Sequence, residues 1–201
     1  ENYELSLESY FLALSVAKQT NDESMVARTY NNLGNVLTNL GRYDNAQPYI
    51  EKFYHYGKET NNWSYISTAL NNLGELELGR SNVDSAKDYF HQSLKIREEK
   101  GFEFAASWSF HNLGKTYRLK GNYEEAQKYL IKSITIRTKY ENSLEAIRSK
   151  LELAKVYFVT NQKSKALELF EECIKQLEQK GNLQLLTQAY HGLQTLYRDQ
   201  K

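Results

Sequence analysis

Few side chains in this 201-residue chain could carry covalent chemistry. His55 and His91 have no ligand-spaced partner, and His111 and His191 stand too far apart in the chain's periodic pattern to share a metal. There is no His-Glu-x-x-His pair, no glycine-rich phosphate loop and no second cysteine beside Cys173. Cys173 has no obvious local support as a nucleophile and reads as a small apolar filler on a helix. The many carboxylates alternate with Lys and Arg at helical spacing, as solvated surface charges do. These residues predict no catalytic site, no metal and no cofactor. The side chains that do recur are amides: Asn32, Asn72 and Asn112, preceded by Asn31, Asn71 and His111. An amide offers two donors and an acceptor, so it can hold a peptide unit from both sides. Asn is a mediocre helix former, so its repeated use on one helix face needs a reason.

The elements that position these amides follow from a single repeat. Asn31-Asn32-Leu33-Gly34 returns as Asn71-Asn72-Leu73-Gly74 and as His111-Asn112-Leu113-Gly114. Worn copies follow at Leu151-Glu152-Leu153-Ala154 and His191-Gly192-Leu193-Gln194. The step is 40 residues with no insertion, the signature of a stacked repeat protein. One column reads Ser6, Ala46, Ala86, Ala126, Ala166, and four residues on comes Tyr10, Ile50, Phe90, Leu130, Phe170, a helical face. It predicts "B" helices near 3–19, 43–59, 83–99, 123–139 and 163–179. The stripe Val26, Tyr30, Leu33, Leu37 and its copies predict "A" helices near 24–39, 64–79, 104–119, 144–159 and 184–199. The return of glycine at 34, 74 and 114 predicts close helix contact. Gly41, Ser81, Gly121 and Asn161 close the A helices, and Asn21, Asn61, Gly101, Glu141 and Gly181 begin the other turns. Asn82 and Asn122 are placed to cap the following B helices. Pro48 predicts a small kink inside a helix.

This reading gives an all-α chain of nine helices, five B and four or five A depending on how the last A helix is counted, and a single domain over 1–201. It comprises a half repeat 1–22, full repeats 23–62, 63–102, 103–142 and 143–182, and a final helix 183–201. The chain opens on Glu1 rather than Met and is expected to be a fragment of a longer protein. Leu193, Leu196 and Tyr197 are expected partly bare, so self-association through an end, or a further helix covering it, is expected too. With 26 Lys and Arg against 25 Asp and Glu, the chain lacks the basic excess of a nucleic-acid binder. No apolar run approaches the ~18 residues of a membrane span. One cysteine fits a reducing compartment and hence the cytoplasm.

The run Tyr30-Leu33-Gly34-Leu37-Gly41-Tyr43-Ala46-Ile50 resembles the tetratricopeptide repeat, and Phe110-Leu113-Gly114-Tyr117-Gly121-Tyr123-Ala126-Leu130 resembles it more closely. The period of 40 instead of 34 is similar to the long-helix branch containing kinesin light chains, Pins/LGN adaptors and bacterial repeat regulators. The resemblance implies a right-handed superhelical solenoid of antiparallel helix pairs whose A helices line the concave side. A protein or peptide partner would then meet Arg28, Asn31, Asn32, Asn35, Asn71, Asn72, Trp108, His111, Asn112, Lys115 and Arg148. It implies a protein-interaction scaffold; a sensory or regulatory segment of a larger signalling protein, with a kinase or DNA-binding domain elsewhere, and a purely structural assembly module stay open beside it.

Overall fold

A computed structural model describes residues 3–141 and 143–199, apart from the side chain of Ser143. The described residues form helices and turns only, ten helices, five of the B type and five of the A type. The last A helix runs four full turns and counts as an element of its own. The chain divides into two compact units, 1–102 and 103–201.

The first unit holds α1 (Tyr3–Gln19), α2 (Glu23–Asn39), α3 (Tyr43–Glu59), α4 (Trp63–Gly79) and α5 (Val83–Glu99). Each helix packs on the next, and α2 also meets α4. The second holds α6 (Glu103–Leu119), α7 (Tyr123–Lys139), α8 (Ser143–Val159), α9 (Lys163–Lys180) and α10 (Leu183–Arg198), packed in the same way, with α6 on α8 and α8 on α10. Odd-numbered helices are the B type and even-numbered ones the A type. The alanine column and the large apolar column behind it are fully buried at Ala46, Ile50, Ala86 and Phe90 in the first unit, and at Ala126, Leu130, Ala166 and Phe170 in the second.

The helical glycines serve that packing. A Cβ on Gly34 would fall 2.5 Å from Ile50 Cγ1, on Gly74 2.5 Å from Phe90 Cε1, and on Gly114 2.5 Å from Leu130 Cγ. Only a bare backbone lets A and B helices approach this closely. Pro48 lies within α3, which runs on through it.

The described turns share one backbone feature. A residue with positive φ stands at 21, 41, 61, 81, 101, 121, 141, 161 and 181, every 20 positions, and four of these are glycine. The left-handed residue reverses the chain, and at seven of these turns the next N–H bonds back to the helix, as Arg42 does to Leu37 O and Asn62 to Gly57 O. Asp22, Asn62, Asn122 and Asn182 then cap helices through their side chains. Asn82 does not cap; its amide donates to Glu77 Oε2 at 2.7 Å instead. Asn142, expected from the sequence to follow Glu141 in its turn, lies outside the described residues.

One slot on the A–B packing surface is filled in two ways. Lys52 Nζ lies 5.2 Å from the Tyr30 ring centre and 5.7 Å from that of Tyr49. In the second unit Lys132 lies 5.1 Å from the Phe110 ring in the matching place. One repeat on, Lys150 takes the aromatic position and pairs with Glu172 at 2.7 Å.

Candidate functional site

The amides sit on A helices because Leu33, Leu37 and their copies turn one stripe of each helix onto the B helices, leaving the opposite stripe to face the neighbouring A helix. That second contact changes the expected picture. Asn71, Asn72 and Asn112 are buried, with 7% of Asn72 and of Asn112 exposed, so they are not the open ladder the helical wheel suggests. Asn72 Nδ2 donates to Asn31 Oδ1 of α2 at 2.7 Å, and Asn31 Nδ2 reaches Asn32 Oδ1 at 3.4 Å. Asn71 donates to Glu75 Oε1 at 2.9 Å and accepts from Arg97 Nη1 at 3.5 Å.

In the first unit an accessible groove of about 560 Å³ lies between α2 and α4. Arg28, Asn31, Asn32 and Thr68 form its polar wall. Phe53 and Tyr65, with ring centres 4.8 Å apart, lie under it beside Tyr10 and Met25. Arg28 is exposed, and among the described residues no carboxylate pairs with it. Asn35, partly buried farther along α2, does not line the groove.

In the second unit Trp108, His111 and Arg148 are engaged internally. Arg137 of α7, fully buried, donates from Nη1 to Glu145 O at 2.8 Å and Ser149 Oγ at 2.7 Å, and from Nε to Ser107 Oγ at 3.3 Å. Trp108 covers its guanidinium, 4.7 Å from the ring centre. His111 Nδ1 meets Ser149 Oγ at 3.0 Å. Burial, and then the charge of Arg137, push His111 down to about 3, so the ring is neutral near pH 7. Arg148 Nε donates to Glu145 Oε1 at 3.1 Å. Arg118 and Lys155 both pair with Glu152. Burial would raise the Glu152 carboxyl, but Lys155 and Arg118 hold it below the usual carboxylate range. Lys115 is partly buried nearby on α6. The structure thus brings Trp108, His111 and Arg148 together, around a buried arginine that sequence reasoning passed over.

The same motif recurs at Arg97, where burial outweighs Glu75 and lowers the guanidinium to about 10, still charged. Ser93 and Ser133, four residues before each arginine, donate to Ser67 O at 2.7 Å and Ser107 O at 2.9 Å. The signal was legible in outline: small serines at 67, 93, 107 and 133 leave room for a long polar chain. A second groove, of about 460 Å³ between α8 and α10, lies over Phe158, Phe170 and Gly192 with His191 at its edge; Lys155, Gln188 and Thr195, on the face equivalent to that of Arg28, line it too. Cys173 is buried in the apolar cluster of α8, α9 and α10, its thiol pushed up to about 12 by burial.

Family models of the tetratricopeptide repeat match residues 25–99, 65–139 and 103–179. No curated protein matches the chain by sequence. Among solved structures, BtubC from P. vanneervenii superposes with a TM-score of 0.79 at 15% identity, covering 98% of this chain and 84% of that one. A Rap protein complexed with competence and sporulation factor superposes at 0.82 with 15% identity, over 98% of this chain and 60% of its own. A signal-transduction ATPase with a tetratricopeptide repeat sensor from Pyrococcus horikoshii gives 0.73 at 21%, over 92% of this chain and 30% of that one. The present chain therefore spans about three fifths of the Rap protein and less than a third of the ATPase. The likeness shows a shared fold, and with the repeat models running from residue 25 to 179 the chain belongs to the tetratricopeptide repeat family.

Proposed function

We propose that this chain is a non-catalytic protein-interaction scaffold that holds a peptide segment of a partner protein in the α2–α4 groove. The observation that carries this reading is the groove itself: an arginine without an internal acid and the amides of Asn31 and Asn32, set over an aromatic floor. Rigid aromatic surface gives contact area, and amides give directional bonds to a peptide backbone. The Rap protein, similar in fold, is bound to competence and sporulation factor, which supports a peptide ligand for this one. One buried cysteine and no basic excess suit a cytoplasmic protein that binds proteins rather than nucleic acid.

A second reading, a sensory segment of a larger signalling protein, draws on the repeat sensor of the Pyrococcus horikoshii ATPase, of which this chain matches 30%. It uses the same groove. The test of the groove is site-specific photocrosslinking in cell extract with the reactive group at Thr68 or, as a control, at the exposed His55. Peptides captured at 68 and not at 55 are the expected result. Equal capture at both positions would place the binding surface elsewhere.

A further inference from the structure

We propose that the α2–α4 groove selects a segment in which a side-chain carboxylate adjoins a large apolar side chain, the carboxylate seated at Arg28 and the apolar group against Phe53 and Tyr65. The inference rests on the groove being the binding site and goes further by naming what it takes.

The argument comes from comparing one column of the repeat with itself. Arg28 on α2 and Arg148 on α8 occupy the same position three repeats apart. On α8 the residue three places earlier is Glu145, whose carboxylate accepts from Arg148 Nε at 3.1 Å. On α2 the same place holds Met25, which lines the groove. The internal acid is thus replaced by an apolar side chain, and Arg28 is left exposed with no acid among the described residues to pair with it. Other arginines are engaged: Arg42 with Glu4 at 2.7 Å, Arg80 with Glu77 at 2.9 Å and with Asp44, Arg118 with Glu152 at 3.0 Å. Arg28 is also the one charged side chain among the groove's described lining residues. A carboxylate from the partner would take the place that Glu145 fills on α8. The adjoining apolar group would cover Met25, Phe53 and Tyr65, drying the pair and strengthening it. Asn31 and Asn32 are left to hold the peptide backbone between the two. A carboxylate on a side chain fits better than a chain terminus, because a terminus calls for several converging cations and this groove offers one.

The test uses fluorescent octapeptide pools blocked at both ends, so that no terminal carboxylate is present. Their central pair is Asp-Phe, Asn-Phe, Lys-Phe or Asp-Ser, with small polar flanks, and binding is read by anisotropy. Asp-Phe should bind tightest, Asn-Phe about threefold weaker and Lys-Phe about tenfold weaker. Arg28→Glu, an exposed change whose thermal melt should match wild type, should reverse the order of Asp-Phe and Lys-Phe. Met25→Glu, which restores the internal acid of α8, should bring Asp-Phe down to the level of Asn-Phe. If Asp-Phe and Asn-Phe bind alike while Phe53→Ala still weakens both, the carboxylate preference is wrong and the groove reading stands. If the pools bind and neither Arg28→Glu nor Phe53→Ala changes them, or if no pool binds at all, both readings fall.

Discussion

Replacing Asn72 by Ala separates a structural amide from an idle one. A helical wheel alone says this change should leave the melt unaltered or raise it, because Ala is the better helix former by roughly 0.5–0.7 kcal/mol. The structure reverses the sign. Asn72 is 7% exposed and donates to Asn31 Oδ1 at 2.7 Å. Losing that bond removes about 0.5–1.5 kcal/mol, and a partly buried acceptor on Asn31 is left without its donor, costing about 1 kcal/mol more. Set against the propensity gain, the net loss is about 1 kcal/mol, a fall of roughly 2–4 °C in Tm for a chain of this size. Trp63 lies in the first unit and Trp108 in the second, so each can report its own unit. Urea unfolding followed at Trp63 in a Trp108→Phe background should show the loss where the bond lies. A double-mutant cycle with Asn31→Ala should return a coupling of about 1 kcal/mol. Because Asn31 lines the groove, Asn72→Ala should also weaken peptide capture slightly. An unchanged midpoint together with zero coupling would refute the account of Asn72 as a brace for Asn31.

Gly74→Ala should destabilise by about 1–3 kcal/mol in urea despite its better helix propensity, since the new methyl would meet the fully buried Phe90 ring; a gain in stability would show that α4 and α5 can part cheaply. His111 takes its proton near 6.5 when unfolded but only near 3 when folded, so the native state binds fewer protons between those values. Stability should therefore fall as pH drops below 6.5, by at most ~1.4 kcal/mol per pH unit, and His111→Gln should flatten the slope between pH 6.5 and 5. Arg137, Lys115 and Arg148 oppose the proton and Glu152 favours it, so an unaltered slope in the variant would mean that other groups carry the effect. Leu5, Leu12 and Val16 of α1 and Tyr190 and Tyr197 of α10 are exposed. Sedimentation should detect concentration-dependent association that Leu12→Glu or Tyr197→Glu weakens; a monomer at the highest soluble concentration would exclude it.

The helices were readable almost to the residue, because Ala46, Ile50 and their copies mark one buried face at a fixed period, and because the turn residues at 41, 81 and 121 tolerate a left-handed backbone. The site was readable only in part. Arg28, Asn31 and Asn32 do share a groove, but the same column disappears from view at Asn72, where α2 packs on that face of α4, and Asn112 is buried as well. A single helix's periodicity describes one buried stripe; burial of the second depends on a neighbour 40 residues away. Leu196 shows the same effect at the end of the chain: expected partly bare, it is fully buried, while Tyr197 is half exposed. Arg97 and Arg137 were missed because a lone cation in a polar helix reads as surface charge. Only the serines around them reveal the space they fill.

The left-handed residue that returns every 20 positions gives the described joints the same reversal, although the helices they join alternate in kind. Gain or loss of one helix would leave each joint intact and still exchange the roles of every helix beyond it. The amides of α4 would then arrive where Ala46 and Ile50 pack, and the buried columns would face water. Growth or shrinkage by copying is therefore tolerated at any joint, but only by an even number of helices. Parity, more than length, is what a duplication or deletion in this chain has to respect.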